Sequence, residues 1–365
     1  MIIRKQAFPR AALIGNPSDG YYGKTIAFVF DNYAAQVVLY ETPELNLVPS
    51  LRDQANFSSV HELVREVGLY GYYGGIRLLK ASVKRFIEFC QERGIAIHNR
   101  NFTMRYGTTI PNRLGLAGSS AIITACIRAL QEFYEVEIPL PELANLILSV
   151  EKDELGIDAG LQDRVAQAYN VPVFMDFNKD YMQKHGYGIY QPLEIPDDLN
   201  LFVAFRTDLA EGSEILHSRL REDYNNKVPA VLDAIAEWAH LADVVAEALN
   251  KHDYTAVEKA LRRNFELRCQ VCAATVSAKN RRMVDLAASQ GAAAKLTGSG
   301  GAIIGIYHDE KHFENLKKNF CRKSDRNRKA QYCDQRQRSL GILTVKIPGQ
   351  GGNHIRQTAS YFREG

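Results

Sequence analysis

The run Pro111-Asn-Arg-Leu-Gly-Leu-Ala-Gly-Ser-Ser-Ala-Ile-Ile-Thr-Ala-Cys-Ile-Arg-Ala-Leu130 constrains this chain more than any other segment. A loop of glycine and small residues enters an apolar, helix-periodic stretch, with Ser119 and Ser120 at the junction. Such a junction aims unpaired backbone N–H groups and the positive end of a helix dipole at one point, an arrangement suited to phosphate. Taken alone, the same letters describe an ordinary serine N-cap on a core helix. Two further segments decide between these readings.

The chain has 365 residues, enough for two domains with cores of their own. Basic and acidic residues nearly balance (45 against 42, net +3), so nothing points to a polyanion partner such as nucleic acid. No apolar run reaches the roughly 18–20 residues of a membrane span, and the first residues show no secretory pattern, so the expected compartment is the cytoplasm. Cys90 and Cys126 sit in apolar helical stretches and read as small buried hydrophobes. Cys269 and Cys272 form a lone C-x-x-C without a second ligand pair; with Cys321 and Cys333 they suggest no disulfide framework.

Residues 11–14 and 24–40 read as strands around a Gly/Pro/Asn/Asp cluster, and 58–93 as helix broken near 71–75. A strand over 95–109 leads into the glycine loop. Helices are expected over 119–135 and 142–154, strands over 171–176 and 201–206, and a helix-rich region over 213–290. A glycine loop enters a strand over 295–307, a charged helix spans 309–330, and 342–347 closes as a strand. The basic stretch 322–338 reads as a solvated face. Strand and helix mix in both halves without a repeated βαβ unit, which favours two α+β domains, 1–195 and 196–365. Ser18-Asp-Gly-Tyr-Tyr-Gly-Lys-Thr25 nearly spells a Walker A loop, but a β-type run follows where that motif needs a helix, so the match is fortuitous.

Three segments occur in order: Pro9-Arg-Ala-Ala-Leu-Ile-Gly-Asn-Pro-Ser-Asp-Gly-Tyr-Tyr-Gly23, the Gly115–Ser120 loop, and Lys295-Leu-Thr-Gly-Ser-Gly-Gly301. Together they resemble the three motifs of the galactokinase, homoserine kinase, mevalonate kinase and phosphomevalonate kinase (GHMP) superfamily. Glu151 followed by Gly160-Leu-Gln-Asp163 resembles that superfamily's helix glutamate and Gly-x-x-Asp. More narrowly, residues 14–20, 71–79, 115–122 and 159–167 resemble the plant-type glucuronokinases, and the likeness extends over about 8–307. It implies a two-domain α+β fold, with an N-terminal half like domain 2 of ribosomal protein S5 and a ferredoxin-like C-terminal half.

The resemblance implies transfer of a phosphoryl group from ATP, with Mg²⁺, to the anomeric hydroxyl of D-glucuronate, a step that would serve UDP-glucuronate salvage. Gly115, Leu116, Ala117, Gly118, Ser119 and Ser120 would wrap the triphosphate. Ser120 and Glu151 would hold the metal, as hard oxygen ligands. Asp163 would orient, and in one version deprotonate, the attacking hydroxyl, with Arg10 beside it to keep it ionised. Asn16 and Asp19 match positions that contact sugar hydroxyls, although Asn16 stands where the superfamily has an acid. Gly298, Ser299 and Gly300 would approach the substrates closely. A uronic acid also needs a cation for its carboxylate; Lys24, Arg77 and Arg164 are the candidates, and Tyr72 and Tyr73 could stack on the sugar. Small-molecule substrates are the only partners implied. The alternatives are a kinase for galacturonate, arabinose or galactose, a catalytically silent sugar- and nucleotide-binding regulator, or a decarboxylase on the same scaffold.

Overall fold

The computed structural model describes residues 1–50, 53, 59–61, 63–64, 74–112, 114–206, 214–272, 276–324 and 340–348. Three four-stranded sheets organise them. In the first, β1 (Ile2–Ala7), β4 (Ala35–Glu41), β6 (Phe102–Thr108) and β5 (Asn46–Val48) lie in the order β1-β4-β6-β5, antiparallel except for β5 against β6. Alternation in β1 and β4 sets Ile3, Ala7, Val37 and Leu39 on the inner face. The helix predicted from the glycine loop, α2 (Gly118–Tyr134), packs on that sheet and beside α1 (Ile76–Glu92).

The second sheet, β2 (Arg10–Ile14), β3 (Lys24–Val29), β7 (Val173–Asp176) and β8 (Ile189–Pro192), is antiparallel throughout. Every residue of β2 is buried, and all of β3 after Lys24, because both faces are covered; the sequence accordingly runs apolar rather than alternating. Covering elements include α4 (Leu161–Tyr169), itself backed by α3 (Leu140–Ser149), with α7 (Pro229–Asn250) and α8 (Tyr254–Val271). The third sheet has the order β10 (Ala294–Leu296), β11 (Ala302–Ile306), β9 (Leu201–Arg206), β12 (Leu340–Thr344). Its own core includes Phe202, Ile303, Met283, Leu286, Leu316 and Phe320, the last four from α9 (Ala278–Ala288) and α10 (Glu310–Ser324).

The first two sheets draw only on residues 2–192 and the third only on 201–344. The helix-rich stretch resolves into α6 (Glu214–Asn225), α7, α8 and α9, begun by Pro229 at N1 of α7 and by side-chain caps from Asp253 and Ser277. Cys90 and Cys126 are fully buried, as expected.

Several expectations shift. The stretch 24–40 is two strands, because Asp31-Asn-Tyr33 turns the chain between sheets. Residues 95–101 are not strand. Five elements give little sequence signal: β1, β5, β8, α4 and α5 (Lys179–His185). Most of the expected helix over 58–75, Tyr72 and Tyr73, Cys333 and most of the basic stretch 322–338 lie outside the described residues.

Candidate active site

Strand β2 is the edge of its sheet, and its free edge is where the motifs meet. Arg10 N donates to Leu116 O (3.1 Å) and Ala12 N to Thr297 O (3.2 Å), so two donors on one strand hold the second and third glycine segments. The loops also touch each other. A Cβ on Gly298 would stand 3.2 Å from Gly115 C, and one on Gly115 2.9 Å from Gly300 O. Gly115 lies at φ +64°, a conformation that suits glycine. Arg268 clamps the third segment, donating to Gly298 O (2.8 Å) and Ser299 O (3.1 Å), and Asn280 Oδ1 accepts from Gly301 N (2.9 Å).

At the second segment Ala117 adopts φ +59° and starts α2. Gln167 of α4 donates to Ala117 O (2.9 Å) and Phe8 O (3.0 Å), fixing the loop against the helix that carries Asp163. Ser119 Oγ donates to Glu151 Oε1 at 2.6 Å. Ser120, expected as the metal-facing serine, instead turns inward: it is fully buried and donates to Ala117 O (3.1 Å). The two side chains point about 100° apart around the helix, and Ser119 has the outward phase.

Glu151 sits on the π-helical turn Val150–Glu154 that ends α3, a local widening often found at functional sites. It is fully buried, and its second oxygen accepts from Arg164 Nε (2.8 Å) and Nη2. Arg164 Nη1 also reaches Asp163 Oδ2 (3.2 Å) and Gly160 O (3.0 Å). Asp163 lies in the first turn of α4, and its other oxygen meets Arg10 Nη2 at 2.5 Å. Arg10 Nη1 in turn donates to Thr297 O at 2.5 Å. A continuous polar circuit thus runs Ser119–Glu151–Arg164–Asp163–Arg10–Thr297. Burial works against the Asp163 carboxylate, but Arg10 and Arg164 outweigh it and hold the group below the usual carboxylate range.

The loop after β2 completes the cluster. Its Asn16–Pro17 bond is cis. Asp19, in the short 3₁₀ turn Ser18–Tyr21, presses its carboxylate against Gly160, where a Cβ would stand 3.1 Å from Oδ2. Burial, then the charge of Asp163, push Asp19 up to about 6, partly offset by Arg10.

Asn16 differs from expectation. Its Oδ1 accepts from Lys295 Nζ, its Nδ2 faces Leu296 O at 3.5 Å, and it is 4% exposed; the amide joins the two halves of the chain rather than opening toward a sugar. Asn264 reinforces that joint, accepting from Gly15 N (2.9 Å) and donating to Asn16 O (3.1 Å). Lys24 is also corrected: its ammonium pairs with Asp243 (2.9 Å) and lies 3.9 Å from Asp176, so two carboxylates already neutralise it. Arg164 likewise spends its donors on Glu151, Asp163 and Gly160 O. Arg77, partly buried in the first turn of α1, has a partner within the protein.

Sequence reasoning passed over Lys295, Arg268, Asn264 and Gln167. Only Lys295 and Gln167 lay in segments already singled out, and nothing in their spacing marked them as anchors.

A helix N-terminus, two glycine loops in contact and an ionised acid held by two guanidiniums can seat a polyphosphate beside a hydroxyl. The family described as GHMP kinases N terminal domain matches residues 78–170, and GHMP kinases C terminal matches residues 245–326. The chain belongs to the GHMP kinases, and the expected two-domain α+β fold is theirs. Its relatives are more particular. It is 41% identical over 331 residues to "Probable glucuronokinase 2" of Arabidopsis thaliana, covering 88% of this chain and 89% of that protein. "Glucuronokinase 1" of the same plant is 38% identical over 83% of this chain and 84% of its own length. Among solved structures, Lactococcus lactis galactokinase complexed with galactose superposes with a TM-score of 0.72 at 14% identity, over 95% and 93% of the two chains; at that identity the likeness concerns the fold. Among the described residues no helix is long and apolar enough to cross a membrane.

Proposed function

We propose that this GHMP kinase transfers the γ-phosphoryl group of ATP to the anomeric hydroxyl of D-glucuronate, giving D-glucuronate 1-phosphate, in the cytoplasm. The substrate rests on the two glucuronokinase relatives. The chemistry rests on one observation, the polar circuit from Ser119 to Thr297.

In this reading the backbone N–H groups of Gly115–Ser119, at the start of α2, cradle the phosphates, and Gly298–Gly300 close the cradle from the C-terminal domain, whose boundary we draw near residue 195. The metal ligands would be Glu151 and Ser119, not Ser120. A carboxylate and a hydroxyl 2.6 Å apart suit Mg²⁺, which keeps waters and phosphate oxygens for its other positions. When bound, the ion neutralises charge on the phosphate oxygens.

Asp163 accepts a hydrogen bond from the attacking hydroxyl and aims it. Because Arg10 and Arg164 hold its pKa down, it is a weak base, and the proton moves to it only as the new O–P bond forms. A loose phosphoryl-transfer transition state asks for little more than positioning and charge stabilisation, which Arg10 supplies. Asp19, beside Gly160, accepts from a sugar hydroxyl.

The test is a substrate panel with ATP and Mg²⁺: D-glucuronate, D-galacturonate, L-arabinose and D-galactose, with the anomeric phosphate detected by ³¹P NMR. Glucuronate is expected to have the highest kcat/KM. If it is no better than galactose, the substrate assignment fails.

A further inference from the structure

We propose that Lys295 and Arg268, two buried cations with no carboxylate against either among the described residues, make the sugar site select an anionic sugar over its neutral counterpart. The proposal deepens the glucuronate reading and rests on it.

Among the described residues, Arg10 is paired with Asp163, Arg164 with Glu151 and Asp163, and Lys24 with Asp243. Lys295 and Arg268 are not. Lys295 is 1% exposed, and its ammonium donates to Ala12 O (2.9 Å), Leu296 O (3.0 Å) and Asn16 Oδ1, all uncharged acceptors. Arg268 is 2% exposed and donates to Gly298 O and Ser299 O, while its buried Nε has no partner.

Burying a charge without a counter-ion is costly, and the cost falls when an anion arrives. Among the described residues Asp19 is the carboxylate whose charge reaches both cations, and it is itself pushed up to about 6. As one carboxylate against two cations, it compensates them only in part. Burial, with the nearby charges of Arg268 and Arg10, lowers Lys295 well below its usual range, so a carboxylate seated against the Asn16–Asp19 loop would favour its charged form. Asn16 is the hinge of this arrangement: an amide there satisfies the ammonium without neutralising it.

Two variants test the idea. Asn16→Asp is nearly isosteric and puts a counter-ion on Lys295; Lys295→Met removes the charge and keeps most of the volume. Binding of D-glucuronate and of its uncharged analogue D-glucuronamide is followed by fluorescence of Trp238, the one tryptophan, whose indole N–H donates to Asn264 O (3.1 Å) behind Gly15 and Asn16. In both variants the preference for acid over amide should fall by about tenfold, the scale on which one unit charge acts at an effective dielectric near 20. Equal weakening of acid and amide would reduce Lys295 to a structural brace and overturn the proposal, as would an unchanged preference. A wild-type enzyme that turns over no glucuronate sinks the assigned activity instead, a result read separately from the binding ratio.

Discussion

Replacing Gly298 with alanine tests whether the contact between the two glycine loops matters. The backbone of Gly298 lies outside the left-handed region, so alanine brings no conformational penalty. Its methyl would stand under 3 Å from Gly115 O and 3.2 Å from Gly115 C. That is about 1 Å inside ordinary contact, and both obstacles are main chain, which cannot swing aside as a side chain would. The loops must part, but Arg268 grips Gly298 O on one side and β2 grips Thr297 and Leu116 on the other. Strain of this kind costs about 1–3 kcal/mol of stability. A displacement near 1 Å at a group that positions substrate lowers turnover about 100-fold. The assay pairs urea unfolding with steady-state kinetics for ATP, and Gly107→Ala, where a methyl meets nothing within 4 Å, is the control. Should Gly298→Ala match wild type in stability and in kcat/KM for ATP, the loops do not touch in the working enzyme.

Asp163→Asn should lower kcat by about 10²- to 10⁴-fold while ATP affinity, measured by equilibrium dialysis, changes little; unchanged turnover would remove Asp163 from the mechanism. For Asp19 the raised pKa sets the sign: the carboxylate proposed to accept from the sugar exists above about 6 and is lost as pH falls through it. Glucuronate stays ionised across that window, so its kcat/KM should rise with pH around a midpoint near 6. Asp19→Asn, which leaves Asp163, Arg10 and Arg164 in place, should flatten that limb; a wild-type profile that is already flat there refutes the assignment. Lys24→Met should leave the glucuronate KM within about twofold, since Asp243 and Asp176 already hold that ammonium; a large increase would return Lys24 to the sugar site.

Much of the site could be read from the letters, because glycine, serine and acid at fixed spacing carry their chemistry in residue type. The convergence of Ser119, Glu151, Asp163 and Arg10 is such a case. What escaped depends on direction rather than identity. Ser119 and Ser120 are chemically equal, and only the helix phase set by Ala117 at φ +59° decides which one faces Glu151. Lys24, Asn16 and Arg164 carry suitable polar groups, yet their functional meaning turns on partners 219, 279 and 13 residues away. Among elements, α4 and β8 are short and weakly patterned; they are held by packing on α3 and β7 rather than by local propensity.

The outer edge of β2 has a consequence beyond assembly of the site. An uncovered edge strand reading Ala11-Ala-Leu-Ile14 would be a template for pairing with other chains. Here the carbonyls of Leu116 and Thr297 occupy its N–H groups. The cover at Ala12 comes from the chain's second half, so loosening of that half would bare an aggregation-prone seam. Misassembly of this protein should therefore begin where the glycine loops meet, and ligands that hold those loops together should also act as its solubility factors.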